Sequence, residues 1–220
     1  MTLSIGSTKR GAADDRAARY VTRIQQLLQD PGVRSALRSG LGRPPERAVR
    51  MHAVVAPWIS DGTDYATERA YYTVAALLAA GPRTRPLDQA MLPASEAETD
   101  TQPPDPARPK ADGVKRGREN LGTALASAAA AGAVNPDRAE AYLHLLVRQT
   151  TDGLHRHLPR VVRHLQARQI SIDWAQLLRD LSAWPRFHDQ IAKRWLQSFH
   201  RLRLPSPDQP AATQKETELQ

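Results

Sequence analysis

Arg156, Arg160 and Arg163 recur at i, i+4 and i+7 within a stretch, 142–165, that also holds Arg148 and four of the chain's seven histidines. On a helix this spacing makes a single stripe about 10 Å long. Guanidinium groups grip phosphate oxygens in pairs and do not titrate, so such a stripe suits successive phosphates of a polyanion. The plainer alternative is a solvated helix face, but such faces interleave acids, and none lies between His155 and Arg168. A second basic set, Arg34, Arg38, Arg43, Arg47 and Arg50, is opposed only by Glu46, and Arg34 and Arg38 stand one turn apart.

The histidines invite a metal. His157 and His164 lie two helical turns apart, too far for one ion, and no acid stands four residues on from His144, His155, His157 or His164. No metal site and no cofactor are therefore expected. Nucleophilic catalysis has no better footing. A GxSxG elbow, a Walker loop and a dinucleotide fingerprint are all missing, and acids are scarce where the chain is most basic. With no cysteine, disulfides, thiolate nucleophiles and Cys-ligated zinc are excluded. The expectation is a protein that is not an enzyme.

Charge points to the partner. The 220 residues carry a formal charge of +8, which favours nucleic acid or an anionic surface. Residues 114–204 hold 15 Lys and Arg against 7 acids, residues 1–113 hold 15 against 13, and residues 205–220 hold 1 against 3. The surplus thus belongs to the C-terminal half. The first twenty residues contain no apolar run suited to a signal peptide, and the most apolar segment, 71–80, is about half a bilayer span. A cytoplasmic protein without membrane contact is expected.

The elements that must position these arginines read as helices throughout; no strand-period alternation occurs, so the fold class is all-α. Residues 1–13 read as a flexible leader. A helix follows from Asp14, with Tyr20, Val21, Ile24, Leu27 and Leu28 on its apolar side, and stops at Asp30-Pro31-Gly32. A short helix through Leu41, a turn at Gly40 to Pro45, a helix opened by Pro45 or Glu46, and a core helix over 65–80 complete an N-terminal bundle, 14–80.

Residues 81–115 hold seven of the 17 prolines and several acids, the composition of an interdomain linker. A second, basic bundle spans 116–204. Its first helix opens at Asn120 or Leu121 and ends near Gly132, and its second is capped by Asn135 with Pro136 at the first helical position. Asp152-Gly153 reads as a turn, Pro159 as a first turn or a kink, and Asp173 as a cap. Ala183-Trp184-Pro185 reads as a break before a last helix bearing Ile191, Trp195, Phe199 and Leu202. Residues 205–220 form a polar tail. Trp58, Trp174, Trp184 and Trp195 fall at core-like positions, as packing groups and not base-stacking platforms.

Four motifs in the second half, ENLGTALASA, the LHLLVRQ-to-LPRVVRHL pair, IDWAQLLRDLSAW and IAKRWLQSF, resemble the CasB family over about residues 118–202. That family is the small subunit of the type I-E CRISPR surveillance complex, Cascade. The resemblance implies an all-helical, two-bundle, non-catalytic protein that pairs as a homodimer. It would contact Cascade backbone and large subunits, the CRISPR guide RNA, target DNA and the displaced strand. The family's basic positions correspond here to Arg148 and Arg160, with Arg34, Arg38 and Arg43 near the first bundle's turn. Two alternatives stay open: a helix-turn-helix duplex reader, and a structural adaptor without direct nucleic-acid contact.

Overall fold

Helix α4 (Tyr65–Ala80) is the piece against which the other helices are placed. Asp64 caps it by accepting from the Thr67 amide at 3.0 Å, and every residue from Arg69 to Ala79 is buried. A helix apolar all round cannot sit at a surface. It is accordingly covered by α1 (Ile5–Leu27), α2 (Pro31–Arg38), α7 (Thr151–Ala167) and α8 (Trp174–Arg203). The computed structural model describes residues 5–82 and 119–203, with side chains from residue 15 onward. Most of the expected linker (83–115) and the tail from 205 lie outside the described residues, all of whose regular elements are helical.

The N-terminal half departs from expectation in three places. α1 starts at Ile5, inside the segment read as a leader, since Lys9, Arg10, Ala12 and Ala13 favour helix. Asp30-Pro31-Gly32 ends α1 and also starts α2: the Asp30 carboxylate accepts from the Gly32 amide at 2.6 Å and the Val33 amide at 3.3 Å, with Pro31 in the first turn. After the turn, where Gly42 holds a positive φ of 71° that favours glycine, no single helix follows. Short 3₁₀ turns at Pro45–Arg47, Val49–Met51 and Ala56–Trp58 flank a one-turn α3 (His52–Val55). None has a side-chain cap, and Ala48 at φ −100°, ψ 41° interrupts the helical path. What fixes the segment is burial of Ala48, Met51 and Val55.

The second half follows its local signals more closely. α5 (Leu121–Ala130) opens with a capping box between Asn120 and Thr123, and α6 (Pro136–Val147) with Asn135 accepting from the Asp137 amide at 2.9 Å. α8 is formally one helix, but Phe187 leaves helical geometry (φ −131°, ψ 29°) two residues past Pro185. The rings of Trp184 and Trp195 are only 5.2 Å apart, and Trp195 Nε1 donates to Asp180 Oδ2 at 2.6 Å. In a straight helix fifteen residues span about 22 Å. α8 is therefore two arms, 174–186 and 188–203, folded back on one another. The expected break lies at that bend, and the expected last helix is the second arm.

One apolar cluster runs through both halves, from Tyr20, Ile24 and Leu37 through α4 to Leu125, Leu143, Leu158, Leu181 and Phe199. Asp180 sits inside it, held by Gln176, Arg194 and Trp195. Three such donors in one place satisfy a carboxylate that would otherwise be costly to bury.

Candidate nucleic-acid interface

The sequence of α7 sorts into two faces. Leu154, Leu158, Val161, Val162 and Leu165 are buried, and Arg156, Arg160 and Arg163 are exposed on the opposite side. Pro159 lies inside α7, neither in its first turn nor at a break; it is buried, and the helix continues to Ala167. The three arginines therefore share one row.

The expected turn at Asp152-Gly153 is instead the first turn of α7. Thr150 caps it, its Oγ1 accepting from the Gly153 amide at 3.3 Å, and Asp152 adds a favourable negative charge at the helix N-terminus. Asp152 is also the acid one turn before Arg156, but its carboxylate is taken by Arg69 of α4. The Arg69 guanidinium holds the Asp152 carboxyl below its ordinary value. None of Arg156, Arg160 and Arg163 hydrogen-bonds to another described residue.

Directly beneath the row, His155 is 3% exposed, and its Nδ1 lies 2.9 Å from the Thr73 hydroxyl. Burial, aided by the nearby Arg69 charge, pushes its pKa down to about 4, so this imidazole is neutral at pH 7. His155 belongs to the core and not to the basic face. At the start of α7, Leu154 and His155 are likewise buried, and the exposed Asp152 carboxylate is paired with Arg69.

The remaining expected site residues are placed differently from one another. Arg148 is exposed at the C-cap of α6. Arg38, in the last turn of α2, and Arg43, beside Gly42, are exposed as well. Arg34 is half-buried: Nε donates to the Leu28 carbonyl at 3.4 Å, and Nη1 to the Ala79 and Gly81 carbonyls at 3.4 and 3.2 Å. Together with Gln166 Nε2, which donates to Leu77 O at 3.1 Å, Arg34 satisfies carbonyls that the end of α4 leaves without helical partners. Spacing showed a cation at position 34 and could not show the carbonyls it reaches, which come from 45 and 47 residues away.

Sequence reasoning missed one cluster. Glu140 stands four residues before His144, and His200 of α8 comes beside them. Searching four residues ahead of each histidine overlooked the acid behind His144.

Taken together, this is an all-helical protein that presents a row of non-titrating cations on a helix whose other face is core. Residues 33–200 match the family model described as CRISPR-associated protein Cse2, and the chain belongs to that family. Two similar solved chains come from a CRISPR RNA-guided surveillance complex, one of them in a pre-nicking state. They are 36% and 38% identical, each with a TM-score of 0.68, covering 86% of this chain and 94% of theirs. The crystal structure of CasB from M. ruber, at 23% identity and a TM-score of 0.62, covers 84% of this chain and 93% of its own, and shares the fold. No curated protein matches the chain.

Proposed function

We propose that the chain is the non-catalytic small subunit of a type I-E CRISPR RNA-guided surveillance complex. There it steadies the pairing of guide RNA with target DNA, and the displaced strand, by contacting phosphates. The observation that carries this is the exposed row of Arg156, Arg160 and Arg163, with no acid from His155 to Arg168 and with its nearest preceding acid engaged elsewhere. Arg148, Arg38 and Arg43 add exposed cations, while Arg34 serves as a brace for α4. Backbone contacts of this kind position a strand without reading its bases, so sequence choice falls to guide pairing. The reading extends to a homodimer within a cytoplasmic complex, docked on backbone and large subunits, with 14–80 and 116–204 as its two lobes.

Binding of DNA oligonucleotides to the full chain, followed by fluorescence anisotropy across a salt series, tests the reading. With about four to six phosphate contacts, log K should fall against log salt with a slope of about −3 to −5. Charge reversal at Arg156, Arg160 and Arg163 together should flatten that slope by about 2 to 3. A flat response in the unaltered protein, or preference for one duplex sequence, sinks the proposal. If the reversed variant fails to enter the complex yet binds DNA as before, the protein is an adaptor.

A further inference from the structure

We propose that Glu140, His144 and His200 form a binding site for a Zn²⁺-class ion that staples α6 to the second arm of α8. Their donor atoms all lie within 4.8 Å of one another. Glu140 and His144 are one turn apart on α6, and Glu140 Oε1 is 3.7 Å from His144 Nε2, beyond hydrogen-bonding distance. Bonds of about 2.0–2.1 Å at tetrahedral angles separate neighbouring ligands by about 3.3–3.4 Å, so small rotations about side-chain bonds close the set. Neither imidazole hydrogen-bonds to another described residue, so both retain nitrogens for a metal.

The two elements that bring the ligands together are rigidly held. Leu143 and Leu146 bury α6, and Phe199, fully buried and next to His200, pins the end of α8. The ligands themselves are half-buried, which leaves the site reachable from solvent. Arg203 donates from Nη1 to Glu140 Oε2 at 2.7 Å while its guanidinium lies over the Phe199 ring. It thereby holds one carboxylate oxygen and leaves the other, Oε1, toward His144. Metal-bound carboxylates are commonly oriented by a hydrogen bond of this kind.

The donor set decides the class of ion. Two imidazoles and one carboxylate suit zinc and its borderline neighbours, whereas calcium and magnesium ask for oxygen ligands. Three protein ligands leave a fourth position for water.

The test uses the full chain without an affinity tag, with Zn²⁺ by calorimetry and Co²⁺ by visible absorption. The expected result is one equivalent of either ion per chain, with the intense visible bands of tetrahedral cobalt. His144→Ala, Glu140→Gln and His200→Ala should each weaken binding about tenfold or more, while His157→Ala, outside the cluster, leaves it unchanged. All four positions are at least partly exposed, and far-UV circular dichroism checks that each variant is folded. Absence of saturable binding at one equivalent, or unchanged affinity in folded His200→Ala, overturns the proposal. DNA binding by these variants should match that of the unaltered chain, which separates this site from the arginine row.

Discussion

Lowering the pH should destabilise the fold through one residue. His155 has an ordinary pKa of 6.5, but burial and, after it, the Arg69 charge bring it to about 4 in the folded protein. The unfolded chain therefore takes up a proton as pH falls through 6.5, while the folded protein refuses it until about pH 4. Stability from the neutral imidazole is complete above pH 6.5 and is lost through the window from 6.5 to 4. A difference of about 2.5 pKa units corresponds to about 3 kcal/mol, most of it gone by pH 4.5.

Asp180 acts in the opposite sense. Burial pushes its carboxyl up against the donors that surround it, so its protonation favours the folded state as pH falls toward 4. A variant is therefore needed to isolate His155. His155→Asn keeps a polar atom near the Thr73 hydroxyl and cannot titrate; the cavity it leaves costs the same at every pH. Urea unfolding monitored by circular dichroism at pH 7, 5.5 and 4.5 gives the stability gap between the two proteins. That gap should narrow by about 2 to 3 kcal/mol between pH 7 and 4.5. A gap constant to within about 0.5 kcal/mol would refute the view that His155 is held neutral by the core.

Two further predictions concern packing. A methyl at Gly122 would stand 2.0 Å from the Trp195 carbonyl oxygen, so Gly122→Ala should force α5 off the second arm of α8 and cost about 1–3 kcal/mol in urea unfolding. Arg34→Met keeps much of the side chain's bulk and removes its bonds to the Leu28, Ala79 and Gly81 carbonyls. It should lower stability by about 1–2 kcal/mol and leave the salt slope of DNA binding unchanged; a slope as reduced as that of the row variants would place Arg34 on the phosphate face instead.

What could be read from the chain without its coordinates was whatever depends on near neighbours. The caps at Asn120, Asn135 and Asp173 each use an acceptor two or three residues from its donor, and all three lie where their side chains predict. The continuous apolar run of α4 foretold its burial. Residues 45–58 were misjudged because Pro45 and Glu46 carry the signature of a helix start, while the observed turns are set by where Met51 and Val55 must pack. The Asp152-Gly153 pair has turn chemistry, yet Thr150, two residues before Asp152, is a better cap and Arg69, 83 residues away, holds Asp152 in the first helical turn. The bend in α8 could be placed from Pro185, but not its sharpness, which depends on Asp180 meeting Trp195.

The same local-versus-distant distinction bears on why the arginine row can act as a unit. A mobile stripe would lose conformational entropy on binding phosphates and return little net affinity. Here the buried face of α7 is fixed against α4 by the Thr73–His155 contact and the Arg69–Asp152 pair, and its far end by Gln166 reaching Leu77. All three ties join α7 to the most deeply buried helix of the protein. The backbone beneath Arg156, Arg160 and Arg163 is thus settled before any partner arrives, leaving only side-chain freedom to be lost. It follows that loosening α7 from beneath, through the cavity that His155→Asn would leave, should weaken DNA binding without removing a single cation. Because those cations remain, the salt slope should stay the same while affinity falls, the signature that separates a lost scaffold from a lost contact.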